Sequence, residues 1–164
     1  MIESRRATED DVALFKEIRL KALKDSPDAY GSTYEASLQR TESSWLEQLA
    51  TTTSGDLRNT QFAFDGDNCI GIAALYREAD APAGAIIMMW VAPEYRGTAA
   101  ASTLVQSLLD WAKKAGHDSV SLSVTDTNDR AIQFYKNCGF ELTGESVDVD
   151  AKRNLRGVCM KIVI

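Results

Sequence analysis

The stretch VAPEYRGTAAAS, Val91 to Ser102, decides how this chain is read. It follows the apolar run AIIMMWV, Ala85 to Val91, and Pro93 then turns the chain into a segment with helical spacing. The first turn of a helix leaves N–H groups without intrahelical partners, and aligned peptide dipoles make that end partly positive. Phosphates bind at such ends. Gly97, Ala99, Ala100 and Ala101 let a ligand approach the main chain, while Arg96, Thr98 and Ser102 can add donors. The stretch is read as an anion cradle, with a plain alanine-rich helix start as the alternative.

Downstream, Ala101, Leu104, Val105, Leu108, Ala112 and Ala115 form an amphipathic stripe that ends at Gly116. Val120 to Val124 alternates as a strand does. The order strand, helix, strand predicts a right-handed crossover between parallel strands, with its first loop at the carboxyl end of the sheet, where ligands bind. Asn128 can cap a further helix carrying Ala131, Ile132, Phe134 and Tyr135 and closed by Gly139. Phe140 to Leu142 and Val158 to Val163 supply closing strands, joined by a charged segment with Asp148, Asp150, Lys152, Arg153 and Arg156.

Upstream, Ile2 to Ala7 is an edge strand, and Thr8 begins a capping box before a helix with Val12, Phe15, Ile18 and Ala22 on one face. That helix ends near Asp25, because Pro27 disfavours helical geometry at Ser26. Pro27 to Arg40, PDAYGSTYEASLQR, is a loop passing into helix. It is either a substrate-facing lid with Tyr30, Tyr34 and Glu35 or a simple connection. Ser43 to Ala50 is a short helix with Trp45, Leu46 and Leu49 on one side, and Thr51 to Asn59 a polar linker. Gln61 to Phe64 and Cys69 to Tyr76 flank the turn Asp65-Gly66-Asp67-Asn68 as a hairpin.

The 164 residues suit one domain, 1–164, with a hydrophobic fraction of 45% and a charged fraction of 26%. No apolar run approaches the ~20 residues of a membrane helix, and Met1 opens no signal-like segment, so a cytoplasmic protein with no membrane partner is expected. A net charge of -6 argues against nucleic acid and leaves a cationic or neutral partner easier to accommodate. Three widely spaced cysteines, Cys69, Cys138 and Cys159, fit neither a disulfide framework nor a zinc site, and no metal is expected. The single histidine, His117, reads as a partly exposed residue complementing a helix C-terminus.

Taken together, VAPEYRGTAAAS and NDRAIQFYKNCGFELTGE, in this order and spacing, resemble the GNAT family of N-acetyltransferases. The resemblance spans nearly the whole chain, with its specific core at Ile86 to Glu145. It implies an α/β fold with a mixed central sheet of about six to seven strands and about four flanking helices. It also implies acetyl-coenzyme A as donor. The family's pyrophosphate pattern, Q/R-x-x-G-x-G/A, reads here Arg96 to Ala101, with Ala99 in place of an expected glycine. Met89, Trp90 and Val91 would lie beside the pantetheine arm on a strand splayed from its neighbour. Asn128 would contact the same arm, and Tyr135 would be the general acid.

The reaction that follows is direct attack of a primary amine on the thioester, with the oxyanion facing a main-chain N–H near Met89 to Val91. Glu35 and Glu78 are the candidate bases, with a water relay as the alternative. The acceptor is a small amine or a peptide amine, and homodimers are frequent in the family. Two other readings stand beside this one: an acyl-coenzyme A-binding module without catalysis, and a dinucleotide-binding protein, which the absence of G-x-G-x-x-G disfavours.

Overall fold

The apolar run before the cradle becomes the fourth of seven strands in the computed structural model, which describes residues 1–164. The strands are β1 (Ile2–Arg6), β2 (Arg58–Asp65), β3 (Asn68–Tyr76), β4 (Ala83–Val91), β5 (Ser119–Thr125), β6 (Glu141–Asp150) and β7 (Leu155–Val163). They form one sheet in the order β1-β2-β3-β4-β5-β7-β6. Every neighbouring pair is antiparallel except β4 and β5. The helices are α1 (Val12–Asp25), α2 (Tyr34–Leu38), α3 (Glu42–Thr53), α4 (Ala100–Lys114) and α5 (Asp129–Asn137).

Each face of the sheet has its own core. Leu104, Val105, Leu108 and Ala112 of α4 pack with Ala73, Leu75, Ile86, Val91 and Val120, a cluster that Tyr135, Phe140 and Met160 extend. On the other face Phe15, Ile18 and Ala22 of α1 meet Trp45 and Leu49 of α3 over Phe62, Ile72, Met88 and Trp90. The crossover β4-α4-β5 thus has a buried first strand, as an unbroken apolar run requires when both faces are covered.

Two irregularities shape the centre of this sheet. The parallel ladder between β4 and β5 consists of Ala83↔Ser119, Gly84↔Val120 and Ala85↔Ser121, and beyond it the strands separate. A register shift against β3 accompanies a positive φ of 59° at Met88. A non-glycine residue in that region carries on the order of 1–3 kcal/mol of strain, held here by packing on both faces. The bulge places Ile87 and Met88 in succession without the usual alternation.

Several element boundaries differ from the sequence reading. The helix α3 runs on through Thr53, with the Thr51 and Thr52 hydroxyls donating to the Gln48 carbonyl. Leu46 is exposed and does not join Trp45 and Leu49. The charged segment after Leu142 is strand: β6 continues to Asp150 and pairs with β7 along Ser146↔Val158 and Asp148↔Arg156. As an edge strand it alternates only over a short run, Val147 and Val149 against Ser146, Asp148 and Asp150, and the rest of it is exposed and polar. Five α-helices stand where about four were expected, the additional short one being α2, capped by Thr33. His117 is buried against Trp111, and neither ring nitrogen has a partner, so its place is a packing position.

Candidate active site

The gap between β4 and β5 is a cleft whose two halves meet at Tyr30, Met89, Asn128, Ala131 and Tyr135. One half, about 270 Å³, is bounded by Trp90, Val91, Tyr95, Arg96, Ala101, Arg130 and Phe134, so it opens toward the start of α4. The other, about 290 Å³, lies between Ile86 to Met89 of β4, Leu122 to Thr125 of β5 and Val147 to Val149 of β6.

At the start of α4 the main chain, rather than side chains, presents most of the free donors. Gly97 has a φ of +81°, which a side chain would resist, whereas Ala99 has φ -74° and ψ 0°, which alanine adopts without strain. The departure from the glycine pattern at Ala99 therefore leaves the local backbone intact. The Thr98 and Ala100 amides bond to Tyr95 O and Thr98 Oγ1, while those of Ala99, Ala101 and Ser102 have no partner in the protein. These three donors at the positive end of a 15-residue helix suit an anion.

The cations around this loop divide differently from the expectation. Arg96 pairs with Asp25 and donates from Nε to the Val91 carbonyl at 3.1 Å, so its guanidinium is already engaged. Partial burial of Asp25 favours its neutral form, but hydrogen bonds from Trp90, Ser26 and Arg96 outweigh this and hold its carboxyl below the ordinary range. Arg130 has no carboxylate partner and lies near Gly97: a methyl group added there would sit 3.9 Å from Nη2. Sequence reasoning passed over Arg130, although it stands two residues after the helix cap and so on the first turn of α5.

At the junction of the halves two tyrosines approach one another. Tyr30 donates its hydroxyl to the Met89 carbonyl at 2.6 Å, and its ring lies 5.2 Å from the Arg19 guanidinium. Tyr135 is buried between Phe134 and Phe140, and its hydroxyl makes no hydrogen bond within the protein although it is not sealed off. Burial first, then the neighbouring Tyr30 and Cys138, raises the Tyr135 phenol above its ordinary range. It stays a proton donor at neutral pH. Asn128 accepts from the Ala131 amide at 3.2 Å as the cap of α5, and also borders both halves of the cleft.

The remaining candidates lie apart. The Trp90 side chain points to the α1 face, where Nε1 donates to Asp25 at 3.0 Å. Glu35 is exposed on α2, and Glu78 is exposed beside a separate hollow with Thr52, Arg58 and Tyr76. Neither glutamate borders the cleft. Burial pushes the Cys69 thiol up to about 11 and raises that of Cys138, which makes both poor nucleophiles.

Of the first loop's candidates Tyr30 borders the cleft, while Tyr34 and Glu35 on α2 do not. Arg153, held by Asp150 at 2.8 Å, donates to the carbonyls of Pro27 and Tyr30, and Thr125 donates to that of Asp28 at 2.7 Å. The loop is thereby tied across the cleft to β5 and to the turn between β6 and β7. Gly31 passes so close to β6 that a Cβ there would meet the Val149 carbonyl at 2.9 Å.

A mixed sheet split between its two parallel strands, with a helix N-terminus at the mouth of the split, defines the acyl-coenzyme A N-acyltransferase fold. The chain matches the acetyltransferase (GNAT) family over residues 20–140, and it belongs to that family. It is 27% identical over 136 residues to mycothiol acetyltransferase of Thermobispora bispora, covering 83% of this chain and 44% of that one. A 53-residue portion is 40% identical to an uncharacterised N-acetyltransferase of Methanocaldococcus jannaschii, covering 32% and 24% of the two chains. The chain thus spans about a quarter to a half of the length of the curated relatives it matches. Among solved structures, a GNAT-family acetyltransferase from Streptococcus pneumoniae superposes with a TM-score of 0.82 at 19% identity, covering 100% of this chain and 99% of that one. An N-acetyltransferase from Thermoplasma acidophilum in complex with coenzyme A gives 0.76 at 20% identity, covering 100% and 99%.

Proposed function

We propose that residues 1–164 form one N-acetyltransferase domain that moves an acetyl group from acetyl-coenzyme A to a primary amine. The observation that carries this reading is the unpartnered Tyr135 hydroxyl, set in the split between parallel strands and bordering the half of the cleft that opens toward the free amides of α4. The amides of Ala99, Ala101 and Ser102, with Arg130, hold the pyrophosphate; Gly97 gives the loop its turn, and Thr98 and Ala100 complete the helix start. The unpaired edge of β4 from Met89 to Val91 receives the pantetheine arm, with Asn128 opposite. Met89 and Val91 enter this site with their carbonyls already taken by Tyr30 and Arg96.

The chemistry is a direct transfer. The amine nitrogen bonds to the thioester carbon, the carbon–sulfur bond breaks, and Tyr135 gives its proton to the departing thiolate and regains one from solvent. Because Glu35 and Glu78 stand off the cleft, water takes the proton that the amine must lose. A main-chain N–H on the β4 edge stabilises the oxygen as it gains charge. Alignment of amine and thioester in one cleft contributes on the order of 7 kcal/mol or more of barrier reduction.

Isothermal titration of the purified chain with acetyl-coenzyme A and with free coenzyme A tests the donor site. Thr98 is exposed at the cradle, and Thr98→Glu sets a carboxylate against the pyrophosphate. The expected result is binding by the unaltered chain, weakened by on the order of tenfold or more in the variant. Absence of binding by the unaltered chain would refute the donor assignment.

A further inference from the structure

We infer that the acceptor is a primary amine on an apolar body, a hydrophobic monoamine rather than a polyamine or a lysine-like dication. The inference rests on the acetyltransferase reading above, since that reading makes the half of the cleft beyond Tyr30 the place where the acceptor meets the thioester. A donor that enters over α4 reaches the junction of Tyr30, Met89 and Tyr135 with its reactive end. What lies beyond the junction must then be the acceptor's seat.

The side chains that border that seat are mostly apolar, with main chain of the separated strands between them. Ile86, Ile87, Met88 and Met89 line it from β4, Leu122 and Val124 from β5, and Val147 and Val149 from β6. Its polar side chains are few: Ser123, Thr125, Asn128, the Tyr30 and Tyr135 hydroxyls, and a single charged side chain, Asp148. The Asp148 carboxylate is paired with Arg156, and Thr125 is spent on the Asp28 carbonyl. The next charges at the rim, Arg153 and Asp150, neutralise one another.

Charge decides the class. A polyamine keeps at least one further ammonium after its reacting nitrogen has lost a proton, and seating that ammonium requires carboxylates or a ring of carbonyls. Here the one carboxylate is already matched by a guanidinium, and the rim pair Arg153–Asp150 leaves no free carboxylate for a second positive charge. An aliphatic or aromatic body meets the opposite situation, since it exchanges water for isoleucine, leucine, methionine and valine side chains. The volume of about 290 Å³ suits a body of modest size, at the small end of ligand cavities.

Release of free thiol from acetyl-coenzyme A measures this directly with 2-phenylethylamine and hexylamine against spermidine and lysine. The expected result is a kcat/KM at least tenfold higher for the apolar amines. Val147 lines the seat and is exposed on the edge strand β6, so Val147→Glu adds a carboxylate at tolerable cost to the fold. It is expected to cut the preference for 2-phenylethylamine over spermidine at least tenfold while acetyl-coenzyme A binding, by titration, is retained. Equal or better use of spermidine or lysine by the unaltered chain overturns the inference. So does failure of all four amines while acetyl-coenzyme A binds, in which case the donor reading survives. Failure to bind acetyl-coenzyme A overturns both.

Discussion

Tyr135 is the residue on which the catalytic reading turns. Its ring is fixed by edge contacts to Phe134 and Phe140 at centroid separations of 5.1 and 5.7 Å, so loss of the hydroxyl alone should leave the packing in place. Tyr135→Phe is expected to lower kcat on the order of 100-fold, the scale of a general acid, with little change in acetyl-coenzyme A affinity. Unaltered turnover in steady-state assays would remove Tyr135 from the chemistry. The place of Tyr135 and Asn128 beside the cleft was legible because they stand in a motif with a fixed order. Arg130 and the engaged state of Arg96 were not, because the partner of a guanidinium depends on which distant carboxylate the fold brings near. Asp25, 71 residues before Arg96, gives no local sign of that pairing.

At the scale of elements, the loop between β4 and α4 makes a distinct prediction. Gly97 at φ +81° and Ala99 at φ -74° reverse what the family pattern suggests about where glycine is needed. Gly97→Ala should destabilise the chain by roughly 1–2 kcal/mol, the cost of a left-handed alanine. Ala99→Gly, at the N-cap of α4 where glycine is tolerated at least as well as alanine, should change stability by less than about 1 kcal/mol and leave coenzyme A affinity nearly unchanged. Urea unfolding with titration of each variant checks both, and a gain in affinity from Ala99→Gly would show that the methyl group crowds the phosphate. The helices α1 and α4 were readable because one face of each is apolar at helical spacing. The edge strand β6 was not, since its alternation is confined to Val147 and Val149 within a charged and mostly exposed stretch, and the bulge at Met88 has no glycine to announce it.

At the scale of the whole molecule, stability should respond to pH through His117. Burial, and secondarily Arg77, lowers the imidazole pKa in the folded chain below its ordinary value. The unfolded chain therefore takes up the proton first as pH falls, so His117 supports the fold fully above about pH 6.5 and less as the pH drops through the folded pKa. The denaturation midpoint is expected to fall between pH 7 and pH 5, and His117→Phe, which keeps an aromatic ring beside Trp111, should flatten that part of the profile. An equally steep profile in the variant would assign the effect to other groups. The broad architecture was legible from the crossover β4-α4-β5, which orients the sheet and places the cleft at its carboxyl end. The position of β7 was not, because strand order across a sheet is set by long-range packing.

That position bears on how the chain comes into being on the ribosome. The last of the seven strands to be synthesised, β7, lies between β5 and β6 and pairs with both. Until it emerges, β5 presents an open edge on the side away from β4, and Arg153, just ahead of β7, cannot tie the first loop across the cleft. A nascent chain stalled before Leu155 would thus carry most of the first core but an unguarded sheet edge, the form in which a chaperone or a neighbouring nascent chain would find it.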